Sequence, residues 1–439
     1  MSGRFLDMDR RQWLVLFAAW LGWGFDVFDG LLFNYVAPAC VPTLLGLELG
    51  TPEAKSATLW WGGALTSLLL VGWAIGGIIF GRVADRIGRK RTLMLTMALY
   101  SIGTAACAFA PNIWVLAVCR LVASLGIGGE WAAGASMVAE VVPEKRRVEA
   151  GALLYTSAPA GLFLASFVNW QIAGVAFASD PETSWRYVFL CGLAPSFVAF
   201  AVRFMIDEPE RWKAAGPAVD VGLADLFTPA MRRATFSGLS MALVCLVMWW
   251  SCNAFIPTIA AGLAQVEASA KGLDKLATTE LIESFKATST NLFNLGGLIG
   301  TLLTVPAAKY LGRRAMFGVY FVASAAAIYG AFGLDVPPSW RLSMYFPIGL
   351  TVFGVFGSFT YYLPELYPTR LRATGAGFCY NAGRVIAAAG PFLVGSIASR
   401  GADALQAATS VLVLVAVVPL LGVLLLPWVI ETKGRALED

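Results

Sequence analysis

Four ionisable side chains stand inside long apolar stretches of this sequence: Asp26, Asp29, Arg120 and Arg384. Asp26 and Asp29 are three residues apart in "FDVFDG", a spacing that puts both carboxylates on one helix face. A charge at the centre of a membrane helix costs about 2.5–3.5 kcal/mol on insertion scales, so two on one face point to a purpose. A carboxylate in a low-dielectric setting holds a proton more tightly than in water and can exchange it near neutral pH. Proton exchange is the chemistry expected of this pair, with a static helix-packing salt bridge as the competing role. Arg120 is the expected partner. At a rise of 1.5 Å per residue it lies about 12 Å inside the end of its helix, and Asp29 and Asp26 lie about 12 and about 16 Å from the same face. An Asp–Arg pair that breaks on protonation is a two-state element. Arg384 lies about 15 Å from the nearer end of its own helix, near mid-depth, and nothing in that helix neutralises it. A guanidinium matches a carboxylate in bidentate geometry, so a substrate anion is its natural counter-charge, with a structural bridge as the alternative. The absence of histidine excludes a histidine metal site or proton relay. The seven cysteines lack CxxC spacing and read as small core residues, so no metal is expected.

The elements that must position these charges follow from composition. With 58% hydrophobic and 14% charged residues, the 439-residue chain lies outside the range of soluble proteins. Apolar stretches near the roughly 20 residues needed to cross a bilayer recur along it. The twelve expected spans are 12–37, 59–81, 92–110, 112–140, 148–176, 186–206, 235–263, 281–308, 315–333, 341–364, 374–399 and 405–430. The first apolar run is too long for a cleavable signal peptide and leads into a polar membrane segment. Lys and Arg mark the cytoplasmic side. With the N-terminus inside, cytoplasmic segments hold 23 basic residues and the opposite loops 7; Arg120 and Arg384, inside helices, complete the 32. Both termini are therefore expected in the cytoplasm. No basic face exists apart from these loops, which excludes nucleic acid as a partner.

An internal repeat divides the chain. "GRVADRIGRKR" at 81–91 is answered by "VPAAKYLGRRA" at 305–315 at an offset of 224, and "AEVVPEKRRVEAG" at 139–151 by "PELYPTRLRATGA" at 364–376 at an offset of 225. The second pair matches Glu140 to Glu365 and Arg147 to Arg372. The organisation expected is a six-helix bundle over 1–206, a cytoplasmic linker over 207–234 containing "DEPERW", and a second six-helix bundle over 235–439.

Gly81-x3-Asp85-Arg86-x-Gly88-Arg89-Lys90 resembles the loop 2–3 motif of the major facilitator superfamily, and the likeness extends over nearly the whole chain. "RLVASLGIGGEW" from Arg120, "DEPERW" and "ETKGRALE" resemble the branch of sugar porters, organic-ion carriers and metabolite:proton symporters. "FDVFDG" and "YLPELYPTRLRATGAGFCYNAGR" are most similar to aromatic-acid and sialate/lactate:proton symporters. The resemblance implies an all-α membrane fold of twelve helices in two bundles related by a pseudo-twofold axis. It also implies an Asp of helix 1 paired with the Arg of helix 4, as in sugar porters, and an Arg on helix 11 that goes with anionic substrates. Asp85 is expected to meet the start of helix 11 across the two halves, where a helix N-terminus favours an anion. Gly81, Gly88, Arg89, Glu140 and Arg147 are expected to complete this conformational latch, with Glu365 and Arg372 as its second-half counterpart. The competing reading is solvated loop charges. Lys309 stands where the second copy would have Asp85, so the latch is expected to be one-sided.

Other expected substrate contacts are Asn34, Asn291, Asn294, Tyr361, Tyr362, Tyr380 and Asn381, each with helix packing as an equal alternative. Trp20, Trp23, Trp249 and Trp250 read more readily as packing or interfacial anchors. Glycines at 72, 76 and 77 and at 126, 128 and 129 let helices approach closely, and none follows a strand as a phosphate loop would. The expected function is alternating-access, proton-coupled symport of small organic monocarboxylates (lactate-like, sialate-like or aromatic) in a bacterial inner membrane. The proton gradient would be the energy source, with no cofactor and a monomeric carrier. A neutral sugar or polyol substrate, and a transport-dead ligand sensor, are the alternatives. No enzymatic motif is present.

Overall fold

The computed structural model describes residues 8–87, 89–142, 146–193, 197, 201, 223–401 and 403–434. The side chains of 81, 82, 84–86, 89, 129–137, 139, 140, 147, 148, 339, 369, 370, 372, 373 and 404 are not among those described. Most of the expected linker, including "DEPERW", also lies outside the described residues. The described chain is helical and contains no strand.

Twelve helical columns follow one another: α1 Arg10–Leu45, α2 Pro52–Ile87, α3 Arg89–Cys107, α4 Ile113–Val141, α5 147–176, α6 Pro181–Cys191, α7 232–271, α8 Lys275–Tyr310, α9 Arg313–Phe332, α10 338–365, α11 369–398 and α12 404–428. Eight of them are long and apolar enough to cross a membrane, and α3, α4, α6 and α11 complete the twelve. Large apolar side chains such as Ile78, Phe109 and Leu424 point outward, whereas Asp26, Asn34, Thr66 and Ser124 are buried. This inverts the usual soluble distribution.

Several helices outrun their expected spans. α1, α2 and α8 each contain 36 residues. That is about 54 Å at 1.5 Å per residue, against about 30 Å of hydrocarbon. Hydropathy marks only the part of a helix that crosses the bilayer, and caps carry the helix beyond it. Asp9 and Gln12 form a capping box at the start of α1, which stops at Gly46 in the left-handed conformation (φ 68°). The Asp274 side chain caps α8 at Ala277 N, six residues before the expected start at 281. Lys286, counted among the loop charges although the expected span 281–308 contains it, lies inside α8 and is buried.

Four columns of the C-terminal six are broken, and so is α5. α5 passes from Ser157–Asn169 into a π turn at Trp170–Ala176. α7 breaks between Asn253 and Ile256, and α11 between Ala387 and Ala389. α10 contains a π turn at Gly349–Phe353 followed by a 3-10 turn at Gly354–Ser358. α12 breaks between Val415 and Val417.

Glycines set the close crossings. A Cβ on Gly76 would collide with the Leu125 carbonyl of α4, and one on Gly128 with the Trp73 carbonyl of α2. The first six helices meet the last six at both ends. Towards the α1–α2 turn, Ser56 Oγ donates to the Ser399 carbonyl (2.5 Å), and Gly63 lies against Pro391 and Gly395. At mid-depth, Ser67 Oγ donates to the Ala388 carbonyl (2.5 Å). Towards the α2–α3 turn, Gly151 lies against Thr360, and Lys309 Nζ is 3.2 Å from Glu149 Oε1. Lys309, where a one-sided latch was expected, thus makes a cross-half ion pair of its own. Replacing the repeat's acid by lysine reverses the charge and finds an acid on the opposite half.

Candidate functional site

Arg384 is buried on α11 at the seam between the halves. Its guanidinium lies 4.3 Å from the Trp73 ring centroid on α2 and 4.4 Å from that of Tyr380, one turn away on α11. One Nη donates to Asn381 Oδ1 (3.2 Å), and Nε has no hydrogen-bond partner. Among the described residues no carboxylate forms an ion pair with it. Tyr380 and Asn381 thus fall beside Arg384, as their spacing requires.

Around this cation runs a continuous set of aromatic rings. Trp73 meets Trp250 edge-on at 5.9 Å, Trp250 meets Trp249 at 4.6 Å, and Trp249 meets Phe353 at 5.5 Å. Phe293 stacks on Phe353 at 5.4 Å, Tyr155 reaches both Phe353 and Phe356, and Trp23 meets Tyr155 at 5.0 Å. Tyr380 closes the set against Phe356 and Phe359. The Nε1 donors of Trp73 and Trp249 have no partner. Sequence reasoning set Trp23, Trp249 and Trp250 aside and missed Trp73, Tyr155, Phe353 and Phe356. The available signal was weak, because an aromatic side chain has the same hydropathy facing lipid as facing an internal chamber.

Asn34 accepts from Thr66 Oγ1 (3.4 Å) and leaves its Nδ2 without a partner. Asn294 Nδ2 is likewise without a partner, as is Asn291 Oδ1. The hydroxyls of Tyr361 and Tyr362 bond away from Arg384. Tyr361 Oη donates to the Thr304 carbonyl (3.2 Å), and Tyr362 Oη is 2.7 Å from Ser237 Oγ and 3.3 Å from the Ile430 carbonyl. Phe353 lies in the π turn of α10 and Phe356 in its 3-10 turn, and both are buried.

Asp26 and Asp29 are buried on α1 and Arg120 on α4. No ion pair joins Arg120 to either acid within 4.0 Å, so the expected Asp–Arg bridge is absent from this arrangement. Arg120 instead donates to the Gly30 carbonyl (2.9 Å) and lies over the Phe33 ring at 5.1 Å. The cause is the helical turn of about 100° per residue. Gly30 faces Ile127 on α4, whereas Asp29 Oδ1 lies against Gly192, beyond the α6 end at Cys191. Asp29 remains close enough for its charge to act on Arg120.

On the α2–α3 face, Arg313 makes a bidentate pair with Glu365 (2.6 and 3.0 Å), and Thr432 Oγ1 donates to the same carboxylate (2.5 Å). Glu431 accepts from the backbone N–H groups of Arg313 and Arg314 (3.0 Å each) and of Lys433 (2.9 Å). Burial alone would push Glu431 up, but these N–H groups outweigh it and hold the carboxyl below its ordinary value. Of the expected latch, only Glu365 has a described side chain. Gly88 and the side chains at Gly81, Asp85, Arg89, Glu140, Arg147 and Arg372 lie outside the described residues.

A further buried pair escaped the sequence reading. Lys286 Nζ is 2.7 Å from Glu283 Oε1 on α8, and Asn169 Nδ2 of α5 donates to Glu283 Oε2 (2.6 Å). Glu283 and Lys286 both lie within the expected span 281–308, yet neither was singled out there as a buried charge.

The sequence profile described as Major Facilitator Superfamily matches residues 13–391. The chain is 28% identical to a probable 4-methylmuconolactone transporter of Cupriavidus pinatubonensis, covering 98% of this chain and 93% of that one. It is 27% identical to a sialic acid transporter of Escherichia coli, over 86% of this chain and 85% of that one. A gentisate transporter of Corynebacterium glutamicum is 28% identical, over 87% and 80% of the two chains. Among solved structures, a D-xylose–proton symporter superposes with a TM-score of 0.73 at 17% identity, covering 97% of this chain and all of the other.

Proposed function

The chain belongs to the Major Facilitator Superfamily, and from that premise we propose that it is a proton-coupled symporter of small organic monocarboxylates, with aromatic acids the favoured class. The observation that carries this reading is Arg384: a buried guanidinium with no described carboxylate, held between the Trp73 and Tyr380 rings. An unpaired buried charge costs several kcal/mol, and the rings offset only part of that. A substrate carboxylate supplies the missing counter-charge and acceptors for Arg384 Nε and the Trp73 Nε1 donor. The aromatic rings then stack on the body of the substrate. A neutral sugar would leave the cation uncompensated. The similar gentisate and sialic acid transporters carry acids by name.

Asp26 and Asp29 are the proposed proton sites, with Arg120 the switch. With Asp29 protonated, Arg120 rests on the Gly30 carbonyl, the contact described above; with Asp29 ionised, the guanidinium moves to the carboxylate, and the two arrangements favour different openings of the carrier. Asn34, Asn291 and Asn294 are proposed to offer polar contacts to the substrate. The proposed orientation, supported by the Lys and Arg distribution, has the α2–α3 face and both termini on the cytoplasmic side of a bacterial inner membrane. The proton gradient is the energy source, no cofactor is required, and the carrier acts as a monomer.

The test is uptake of radiolabelled benzoate, gentisate, L-lactate and sialate into proteoliposomes under an inward proton gradient, with Arg384→Gln and Asp26→Asn or Asp29→Asn as variants. Gradient-driven accumulation of an acid, lost in Arg384→Gln, is expected. Saturable uptake unchanged in Arg384→Gln would remove the anchor assignment, and gradient-driven accumulation in the double Asp26→Asn/Asp29→Asn variant would remove the proton sites.

A further inference from the structure

The buried cluster between α5 and α8 has no part in the anchor or in the proposed proton sites. Glu283 and Lys286 pair within α8, and both are buried. The second carboxylate oxygen of Glu283 is bound by Asn169, the last residue of the α-helical part of α5. The chain then enters its π turn, where a Cβ on Gly174 would lie 2.8 Å from Glu283 Cβ. The turn and the glycine together let the α5 backbone come this close. One turn deeper on α5, Ser166 Oγ meets Thr290 Oγ1 (3.1 Å), so polar bonds join the two halves along this seam. The seam leads to the α1–α2 face, because α8 starts there at Lys275 and α5 ends there at Ala176.

We propose that Asn169 and the Glu283–Lys286 pair form a clamp that sets how readily the carrier opens at its α1–α2 face. The inference rests on transport by alternate opening, and not on which solute is carried. The clamp works in two opposed ways. The Asn169 hydrogen bond spans the halves and is charge-assisted, so it favours the closed seam. The ion pair stays within α8 whether the seam is open or closed, but it is dehydrated only while α5 covers it. When α5 withdraws, water reaches both ions and returns hydration free energy, which favours opening. An entirely apolar seam would lack this second term and would stay shut. The charges keep two states close in free energy, as a carrier requires.

The two terms can be separated by substitution, because they predict opposite shifts. Asn169→Ala leaves a buried carboxylate oxygen without its donor in the closed seam. Loss of a hydrogen bond to a charged group should raise the open-to-closed ratio by about tenfold or more. The double variant Glu283→Met/Lys286→Met removes the hydration term and should lower the ratio. The charge-exchanged variant Glu283→Lys/Lys286→Glu should stay close to the native ratio, since the Asn169 amide can turn its oxygen towards a lysine. The populations would be read by pulsed electron–electron distance measurement between spin labels at Glu53→Cys and Lys271→Cys, which stand on different halves at this face. The full-length chain in nanodiscs would carry them, with its native cysteines replaced and uptake retained. Opposite shifts of the first two variants, with the third near native, are the expected result. Shifts in the same direction, or no shift in Asn169→Ala, would overturn the clamp. A charge-exchanged variant that folds but is frozen in one state would overturn it too, since it would mean that a carboxylate is required at position 283 itself. Each outcome is independent of the substrate assignment, which uptake tests separately.

Discussion

Arg384→Met should strengthen the fold while weakening the binding of the substrate. Dehydrating an unpaired guanidinium costs several kcal/mol. In compensation, Arg384 has the Trp73 and Tyr380 faces, worth up to about 2 kcal/mol each when desolvated, and one hydrogen bond to Asn381 worth about 1 kcal/mol. The methionine side chain fills much of the same space, lacks the charge and makes favourable contacts with aromatic rings. Replacing a buried charge by an apolar side chain is commonly neutral or stabilising by about 1–4 kcal/mol, so the variant should unfold at or above the native temperature. Binding should move the other way. Removing one partner of a buried guanidinium–carboxylate pair costs about 2–5 kcal/mol, which is a rise in Kd of roughly 30-fold to several thousandfold. Arg384→Lys keeps the charge but loses the planar fork, and should fall between the two. Thermal unfolding of the purified carrier, with and without the acid identified by uptake, reads both quantities. Native-like affinity in Arg384→Met, or a large loss of stability without ligand, would refute the reasoning, because the cation would then be serving the fold.

Other substitutions separate structural from transport roles. Tyr362→Phe removes the bonds to Ser237 Oγ and the Ile430 carbonyl; stability should fall by about 1 kcal/mol while the KM for uptake stays native, the reverse of a substrate contact. Glu431 is held below its ordinary value in the folded chain, so its contribution is present above the unfolded pKa of about 4.3 and is lost as the pH falls through the lower folded value. Thermal unfolding followed downward from pH 5 should therefore show a loss of stability that Glu431→Gln lacks. The Lys309–Glu149 pair is largely exposed, with the lysine side chain 54% accessible, so a double-mutant cycle with Lys309→Ala and Glu149→Ala should return less than about 1 kcal/mol of coupling, vanishing in high salt.

Where the sequence was informative, the signal was a charge that conflicted with its surroundings. Asp26, Asp29, Arg120 and Arg384 each interrupt an apolar run, and each is buried. The repeat located Glu365, whose carboxylate joins α9, α10 and the segment after α12. What escaped notice lies in which partner each side chain meets. Tyr361 and Tyr362 stood with helix packing as an equal alternative, and their hydroxyls bond to the Thr304 carbonyl, Ser237 and the Ile430 carbonyl, partners that residue type alone does not announce. Glu283 and Lys286 fall inside the expected span 281–308, but three apart near its start they read as end charges and not as a buried pair. Arg120 was expected to pair with one of Asp26 and Asp29, Asp26 being the first choice, on the strength of depth, but depth fixes only the position along a helix. Rotation about the helix decided the contact in favour of the Gly30 carbonyl.

The seams towards the two faces differ in a way that bears on how the carrier moves. Towards the α1–α2 face, the described cross-half bonds are buried or partly buried: Ser56 to the Ser399 carbonyl, Ser166 to Thr290, and Asn169 to Glu283. Such bonds are shielded from salt, and a donor or acceptor left unmatched there costs the full desolvation of the group. Towards the α2–α3 face, the described ion pair between the halves is exposed, and both of its charges can return to water when it breaks. Opening at the α1–α2 face therefore depends on water entering a dry seam, and the Glu283–Lys286 pair is the one described feature there whose charges gain from that entry. The buried charges accordingly fall into two kinds. Arg384 has no described carboxylate, and on the proposed function its cost favours binding an anion; Glu283 and Lys286 already have each other, and their cost favours opening the seam.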